Sequence, residues 1–405
     1  MSRAPAGGGS IVARFVALDA ARWLAPGELI WDRRGQIVAV RRHRGAASAV
    51  ADVAVLPGLV DAHAHLQIPA LPDAPRTFVP WVGAVMAARA HTGADAELAD
   101  TEAAVTALLA GGATAVGDID ATGRAMRVLT RSGLVARCYR ELTGFHLTAA
   151  PARALVRERM ARPVGVVATG LSPHAPYSVS PALFAAAARR SRQLAIHCAE
   201  TPEEQEFLRH GRGPFRDLLV RLGRLPEDFR PAGRGAVAWL ETLGVLRPGT
   251  QLVHCQELER GDASRIAGAG ASIVVCPGTI AWFGRAAPPV PTWLRAGIDV
   301  ALGTDSRASN DGLSLVQELR RAAALWPALS PRQLFAMATT AGARSLGLPG
   351  AGRLRRGGRA DFVVVPAAAT AAATLASFVH GVLPLVQVRC AGRDRLGRGG
   401  GRRGR

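Results

Sequence analysis

The run Val53-Ala54-Val55-Leu56-Pro57-Gly58-Leu59-Val60-Asp61-Ala62-His63-Ala64-His65 constrains the fold of this chain more than any other segment. On a strand, residues i and i+2 point to one face, so His63 and His65 can share one metal ion. A single His-x-His carries little weight alone. Later apolar runs end in the same way, however: Leu194-Ala195-Ile196-His197, Gln251-Leu252-Val253-His254 and Ala301-Leu302-Gly303-Thr304-Asp305. Parallel α/β barrels deliver their chemistry from the carboxyl ends of their strands in this manner. The pattern predicts an α/β fold, a (β/α)8 TIM-type barrel, and a metal-dependent hydrolase.

Strand patterns at Val53-His65, Ala113-Asp118, Val135-Leu142, Val164-Leu171, Leu194-His197, Gln251-His254, Ser272-Cys276 and Val300-Asp305 supply the barrel number. Helical patterns intervene at Ala96-Leu109, Pro181-Arg190, Pro202-Leu208 and Ser314-Ala324. Short strands before residue 54 and again after residue 350 have no helical period. They predict a small discontinuous β-sandwich built from both chain ends. The expected organisation is residues 1–54 and 351–395 for that domain and 55–350 for the barrel. Residues 396–405 form a Gly/Arg-rich tail expected to be disordered. Gln67 to about Thr92 is a long insertion after the first barrel strand, and Phe78 and Trp81 within it suggest a lid over the substrate pocket.

The chain of 405 residues has a formal charge of +19, which by itself suggests an anionic partner. It contains no lysine, so all 50 basic residues are arginine, spread along a sequence rich in Ala and Gly. With no nucleic-acid motif beside it, the charge reads as compositional drift, and nucleic acid is not the expected partner. The missing lysine also rules out a carboxylated lysine between two metals, a lysine Schiff base and a P-loop. The five cysteines form no Cys-x-x-Cys pair, which fits buried thiols in a reducing cytoplasm. No secretory leader pattern and no convincing membrane span are present, so a small-molecule substrate and a cytoplasmic location are expected. The extended sheet and barrel surfaces leave room for a homodimer.

Leu56-Pro57-Gly58-Leu59-Val60-Asp61-Ala62-His63-Ala64-His65, His197-Cys198-Ala199-Glu200, His254 and Gly303-Thr304-Asp305-Ser306 together resemble the amidohydrolase superfamily over roughly residues 10 to 395. Glu200, three residues after His197, together with the absence of lysine, resembles the mononuclear aminohydrolases: adenosine-type, cytosine and guanine deaminases and the triazine hydrolases. Ser172-Pro173-His174-Ala175-Pro176-Tyr177-Ser178, Cys276-Pro277-Gly278-Thr279 and Thr304-Asp305-Ser306-Arg307-Ala308-Ser309-Asn310 narrow the resemblance. The first and third are similar to the methylthioadenosine/S-adenosylhomocysteine deaminase group and to aminodeoxyfutalosine deaminase-like proteins, and the second, with Trp282-Phe283-Gly284, is similar to the latter.

The resemblance implies that His63, His65, His197 and Asp305 hold one divalent ion, with zinc favoured and iron(II) left open. Hydroxide generated at the metal would attack the amino-bearing carbon of a purine-like, adenosine-type ring and release ammonia. In this reading Asp305 accepts the proton of the water, Glu200 protonates a ring nitrogen and His254 polarises the attacking oxygen. His174, Trp81, Gln67 and Ser309 are the expected substrate contacts. The alternatives are hydrolysis of a C–N or C–Cl bond in another heterocycle, such as guanine, a triazine or a lactam, and a non-catalytic amidohydrolase-fold scaffold.

Overall fold

The computed structural model describes residues 8–396. Its centre is a parallel eight-stranded sheet: Leu59–Ala64, Ala113–Asp120, Val135–Leu142, Val167–Pro173, Leu194–Cys198, Thr250–His254, Ser272–Val275 and Val300–Leu302. Each strand pairs with the next in chain order. A parallel bridge between Ala64 and Asp305 joins last to first, where Asp305 N–H donates to the His63 carbonyl and His65 N–H to the Asp305 carbonyl. Residues expected to bind metal therefore also close the barrel.

The strands are buried along nearly their whole length, which explains why they read as continuous apolar runs without polar alternation. Helices such as Pro181–Arg190 and Leu315–Leu325 cover them, capped by Ser180 and Ser314, whose hydroxyls accept from the backbone N–H three residues on. Cys198 and Cys255 lie in the core between strands and helices, and all five cysteines are buried and free.

The second sheet also has eight strands and comes from both chain ends. Its main path runs Arg393–Asp394, Gln387–Cys390, Phe362–Pro366, Ala51–Pro57, Gly9–Ala17, Gly27–Trp31 and Ile37–Arg42, with Trp23–Leu24 pairing to Gly9–Ala17. Leu29, Trp31, Val55, Phe362 and Val364 pack in its own apolar core.

Two expectations are corrected. The single strand expected over Val53-His65 is two strands in two sheets, and the expected boundary after residue 54 falls inside Ala51–Pro57. The chain changes sheets at Gly58, where a Cβ would lie only 2.1 Å from Thr114 Oγ1. Gln67 to Thr92 is not all loop, because Phe78–His91 is a helix. Arg393–Asp394, inside the expected 351–395 segment, is the edge strand of the second sheet, while residues 397–405 of the expected tail lie outside the described residues. Among the described residues, no helix is long and apolar enough to cross a membrane.

Candidate active site

The carboxyl rim of the barrel collects His63 and His65 from the first strand, His197 from the fifth, His254 from the sixth and Asp305 just past the eighth. Glu200 follows the fifth strand. All six are at most 6% exposed. The ring nitrogens of His63, His197 and His254 lie close enough to surround one ion, as do those of His63 and His65 with a carboxylate oxygen of Asp305. Nε2 of His65 is 3.2 Å from Nε2 of His197, and Asp305 Oδ1 is 3.6 and 3.8 Å from Nε2 of His63 and His65.

A hydrogen bond to the His197 ring fixes which of its nitrogens is free. His197 Nδ1 lies 2.9 Å from the His174 carbonyl, which can only accept, so this nitrogen carries the proton and Nε2 presents a lone pair. Both ring nitrogens of His63 are buried without a hydrogen-bond partner, as is Nδ1 of His65. A buried polar atom without a partner is costly, and a cation among the imidazoles and the carboxylate would satisfy His63 Nε2. The donor set fits a divalent metal with nitrogen-rich coordination.

The surrounding backbone is held in unusual conformations. Ala199, His254, Cys255 and Asp305 have φ of 49°, 75°, 52° and 60°, in the left-handed region that non-glycine residues seldom adopt. Such conformations cost about 1–3 kcal/mol each and collect at functional sites. They turn the chain at the ends of the fifth, sixth and eighth strands.

Asp305 Oδ2 accepts from Thr279 Oγ at 2.8 Å and from Ser309 Oγ at 2.9 Å, which fixes the carboxylate. Burial works to raise its pKa, but the close His63, His254 and His65 outweigh burial and hold it well below the usual carboxylate range. Glu200 has the opposite balance. Burial pushes it up to about 8, against the opposing pull of Arg285, whose Nη1 is 3.4 Å from Oε1. Its other oxygen is 3.6 Å from His254 Nε2. Burial likewise depresses His65 and His254 to about 3, so both rings are neutral and able to bind a cation through a lone pair.

Above these groups opens a cavity of about 340 Å³. Helix Phe78–His91 supplies Phe78, Trp81, Val85 and Met86, and the facing helix Pro214–Arg221 supplies Phe215, Leu218 and Leu219. Phe215 stacks on Tyr177 with centroids 3.9 Å apart. A sequence with 5% aromatic residues thus concentrates several of them at one mouth. Arg89, from the same helix as Phe78, and Glu141, Thr143, His174 and Ser178 supply the polar lining.

Of the expected substrate contacts, Trp81 and His174 border this cavity, and two others do not. Gln67 turns under the rim and gives its amide to the Ile119 carbonyl at 2.8 Å, because Leu66 N–H is tied to Asp118. Ser309 is fully buried, with its hydroxyl committed to Asp305. Sequence reading missed Thr279, Arg285 and the helix Pro214–Arg221. The Phe215, Leu218, Leu219, Leu222 spacing was a signal for the helix. It also missed Asp61, which accepts from His63 N–H and from both the N–H and hydroxyl of Thr304.

A closed parallel barrel with imidazoles and a carboxylate converging at its carboxyl rim defines a barrel hydrolase built for a metal ion. The chain belongs to the amidohydrolase family, whose pattern matches residues 54–383. It is 34% identical over 338 residues to the aminodeoxyfutalosine deaminase of Deinococcus radiodurans, covering 76% of this chain and 77% of that one. Its fold superposes on the aminofutalosine deaminase of Helicobacter pylori in complex with methylthio-coformycin, with a TM-score of 0.82 at 22% identity, covering 95% of this chain and 99% of that one. It also superposes on a zinc-bound adenosine deaminase of Xanthomonas campestris, with a TM-score of 0.74 at 24% identity over 97% and 93% of the two chains.

Proposed function

We propose that this protein is a zinc-dependent hydrolytic deaminase acting on the adenine ring of a nucleoside. The observation that carries the reading is the pairing of two carboxyls at the floor of one cavity, Glu200 biased toward its acid form and Asp305 toward its base form. Two neighbouring carboxyls with pKa values pushed apart mark an acid and a base. Deamination of an amidine-like ring needs both, because a ring nitrogen must gain a proton while water loses one. Amide or lactam hydrolysis needs no ring protonation, so a buried acid-form Glu200 favours the ring.

His63, His65, His197 and Asp305 would hold the ion, whose contribution when bound is to acidify a water molecule, from 15.7 to about 7 in the best-known zinc site. The nitrogen-rich donor set favours zinc, in keeping with the zinc-bound structural neighbour. Asp305, oriented by Thr279 and Ser309, takes the proton of the attacking water. Glu200 delivers its proton to the ring nitrogen next to the amino-bearing carbon, Asp305 passes the proton it took from water to the amino group, which leaves as ammonia, and the added hydroxyl returns its proton to Glu200. His254, beside Glu200, hydrogen-bonds the oxygen that adds to that carbon. The apolar helices and Tyr177 exclude bulk water and cover the flat faces of the base.

Ammonia release tests this reading, with zinc-loaded protein and a panel of adenosine, 5′-methylthioadenosine, aminodeoxyfutalosine, guanine, cytosine and amino- or chlorotriazines. Turnover of adenine nucleosides with about one metal per chain is the expected result. Turnover confined to triazines, guanine or cytosine would overturn it.

A further inference from the structure

Asp305 owes its orientation to hydroxyls from two different segments. Thr279 lies in the short helix Pro277–Trp282 after the seventh strand, and Ser309 in the loop after the eighth. One side chain that does not line the cavity touches both segments. Glu318, on the helix Leu315–Leu325, is fully buried. Its Oε2 accepts from the Gly278 N–H at 2.6 Å, and its Oε1 accepts from Asn310 Nδ2 at 3.0 Å and from Arg321 Nη1 at 2.8 Å. Gly278 directly precedes Thr279, and Asn310 directly follows Ser309.

The Asn310 amide completes the tie. Its Nδ2 also donates to the Thr304 carbonyl at 2.9 Å, and its Oδ1 accepts from Arg321 Nη1 at 2.8 Å, so the amide is committed at both ends. Thr304 is the residue before Asp305. A Cβ on Gly278 would run into the Asn310 amide, so the two segments pack together with no room for a side chain between them. Burying a carboxylate is costly. On a helix whose other buried residues are Leu315, Val316, Leu319, Ala322 and Ala323, packing alone would be met by an apolar side chain. A carboxylate supplies what an apolar group cannot, directed bonds that fix the spacing of two backbone segments.

We infer that Glu318 is a positioning residue for the reaction: by holding the Gly278–Thr279 and Ser309–Asn310 segments in register, it sets the direction of the Asp305 carboxylate. The inference rests on the proposed role of Asp305 as metal ligand and base. Glu318 is not among the residues that line the cavity, and it acts through the two hydroxyls that reach Asp305. Its loss should therefore leave substrate binding intact and weaken the step in which Asp305 moves a proton.

The test measures deamination of 5′-methylthioadenosine by zinc-loaded Glu318→Gln, alone and in a Thr279→Val/Ser309→Ala background, beside the absorption spectra of the cobalt(II)-substituted proteins. In Glu318→Gln, kcat is expected to fall about 10- to 100-fold with KM within a few-fold of wild type. The visible bands of bound cobalt(II), which follow the geometry of its ligands, should shift. In the background that lacks both hydroxyls, Glu318→Gln should cost no more than about a further two- to three-fold, because the path through which it acts is already gone. Asn310→Ala removes one tie and keeps the carboxylate. It should move kcat and the cobalt spectrum in the same direction, and it carries the test if Glu318→Gln does not fold.

Wild-type kcat and an unmoved cobalt spectrum in Glu318→Gln, with only the melting temperature lowered, would overturn the inference and leave Glu318 a purely structural group. A loss of the same size with and without the two hydroxyls would overturn it as well. Failure of wild type to deaminate 5′-methylthioadenosine would count against the adenine-nucleoside reading alone, because the cobalt spectra of wild type and variants still decide how Asp305 is held.

Discussion

Arg285 Nη1 lies 3.4 Å from Glu200 Oε1, while its guanidinium sits over the rings of Phe283 and Phe78, 4.5 and 5.2 Å from their centroids. Phe78 opens the helix that covers the cavity, so one side chain links that cover to the proposed acid. The cation opposes the burial that raises Glu200 to about 8. Arg285→Met keeps much of the packing on the rings and removes the charge. Glu200 then rises further, and because its protonated form is the active one, the alkaline fall of kcat/KM should move to higher pH. A pH–rate profile measures this, and an unmoved alkaline limb would contradict it.

Glu200→Gln cannot donate a carboxyl proton but leaves the imidazoles and Asp305 intact. Turnover should drop by about 10²- to 10⁴-fold. Metal content, measured by elemental analysis, should equal that of wild type. Full activity in this variant would remove Glu200 from the proton path.

Thr279→Val and Ser309→Ala each delete one of the two hydroxyl donors to Asp305 Oδ2. Partners that orient a ligating carboxylate typically account for about 10- to 100-fold in metal affinity or activity. Each variant should lose that much in kcat or in zinc affinity measured by competition with a chelator. Wild-type values for both quantities would show that Asp305 is positioned by the backbone alone.

Gly303 lies against the first strand, where an added Cβ would be 2.8 Å from the His63 carbonyl oxygen and 2.9 Å from His63 Cβ. The backbone of both strands would have to part. Gly303→Ala should cost about 1–3 kcal/mol and displace His63. A lower melting temperature together with a lower zinc content is the expected pair of readings.

Glu204 accepts from Glu200 N–H at 2.8 Å through one oxygen, while the other is buried without a partner. Burial raises it from its ordinary 4.5 to about 7. Since the folded value is the higher, the folded chain binds this proton more tightly than the unfolded chain. The resulting stabilisation is full below about pH 4.5 and is lost as the pH rises through 7, a swing of roughly 3 kcal/mol. Glu204→Gln does not titrate, so its melting temperature relative to wild type should climb between pH 5 and 8. A constant difference across that range would count against the shift.

The barrel and the five rim residues that end its apolar runs, His63, His65, His197, His254 and Asp305, could be read from the sequence because each depends on local repetition, whereas Glu200 came from the family resemblance. An apolar run ending in a ligand marks a buried parallel strand and its chemical end, whatever the rest of the chain does. Tertiary structure decided what depends on distant segments meeting. Gly58 looks like one residue of a continuous strand, and only the close approach of Thr114 makes it the crossing between two sheets. Ser309 and Gln67 have the chemistry of substrate contacts, but their hydrogen bonds to Asp305 and Ile119 turn them away from the cavity. Arg285 and Glu200, like Arg89 and Glu141, are far apart in sequence and meet because barrel closure brings successive loops to one rim. Periodicity records which face of an element is buried, whereas the partner found there depends on how the elements pack.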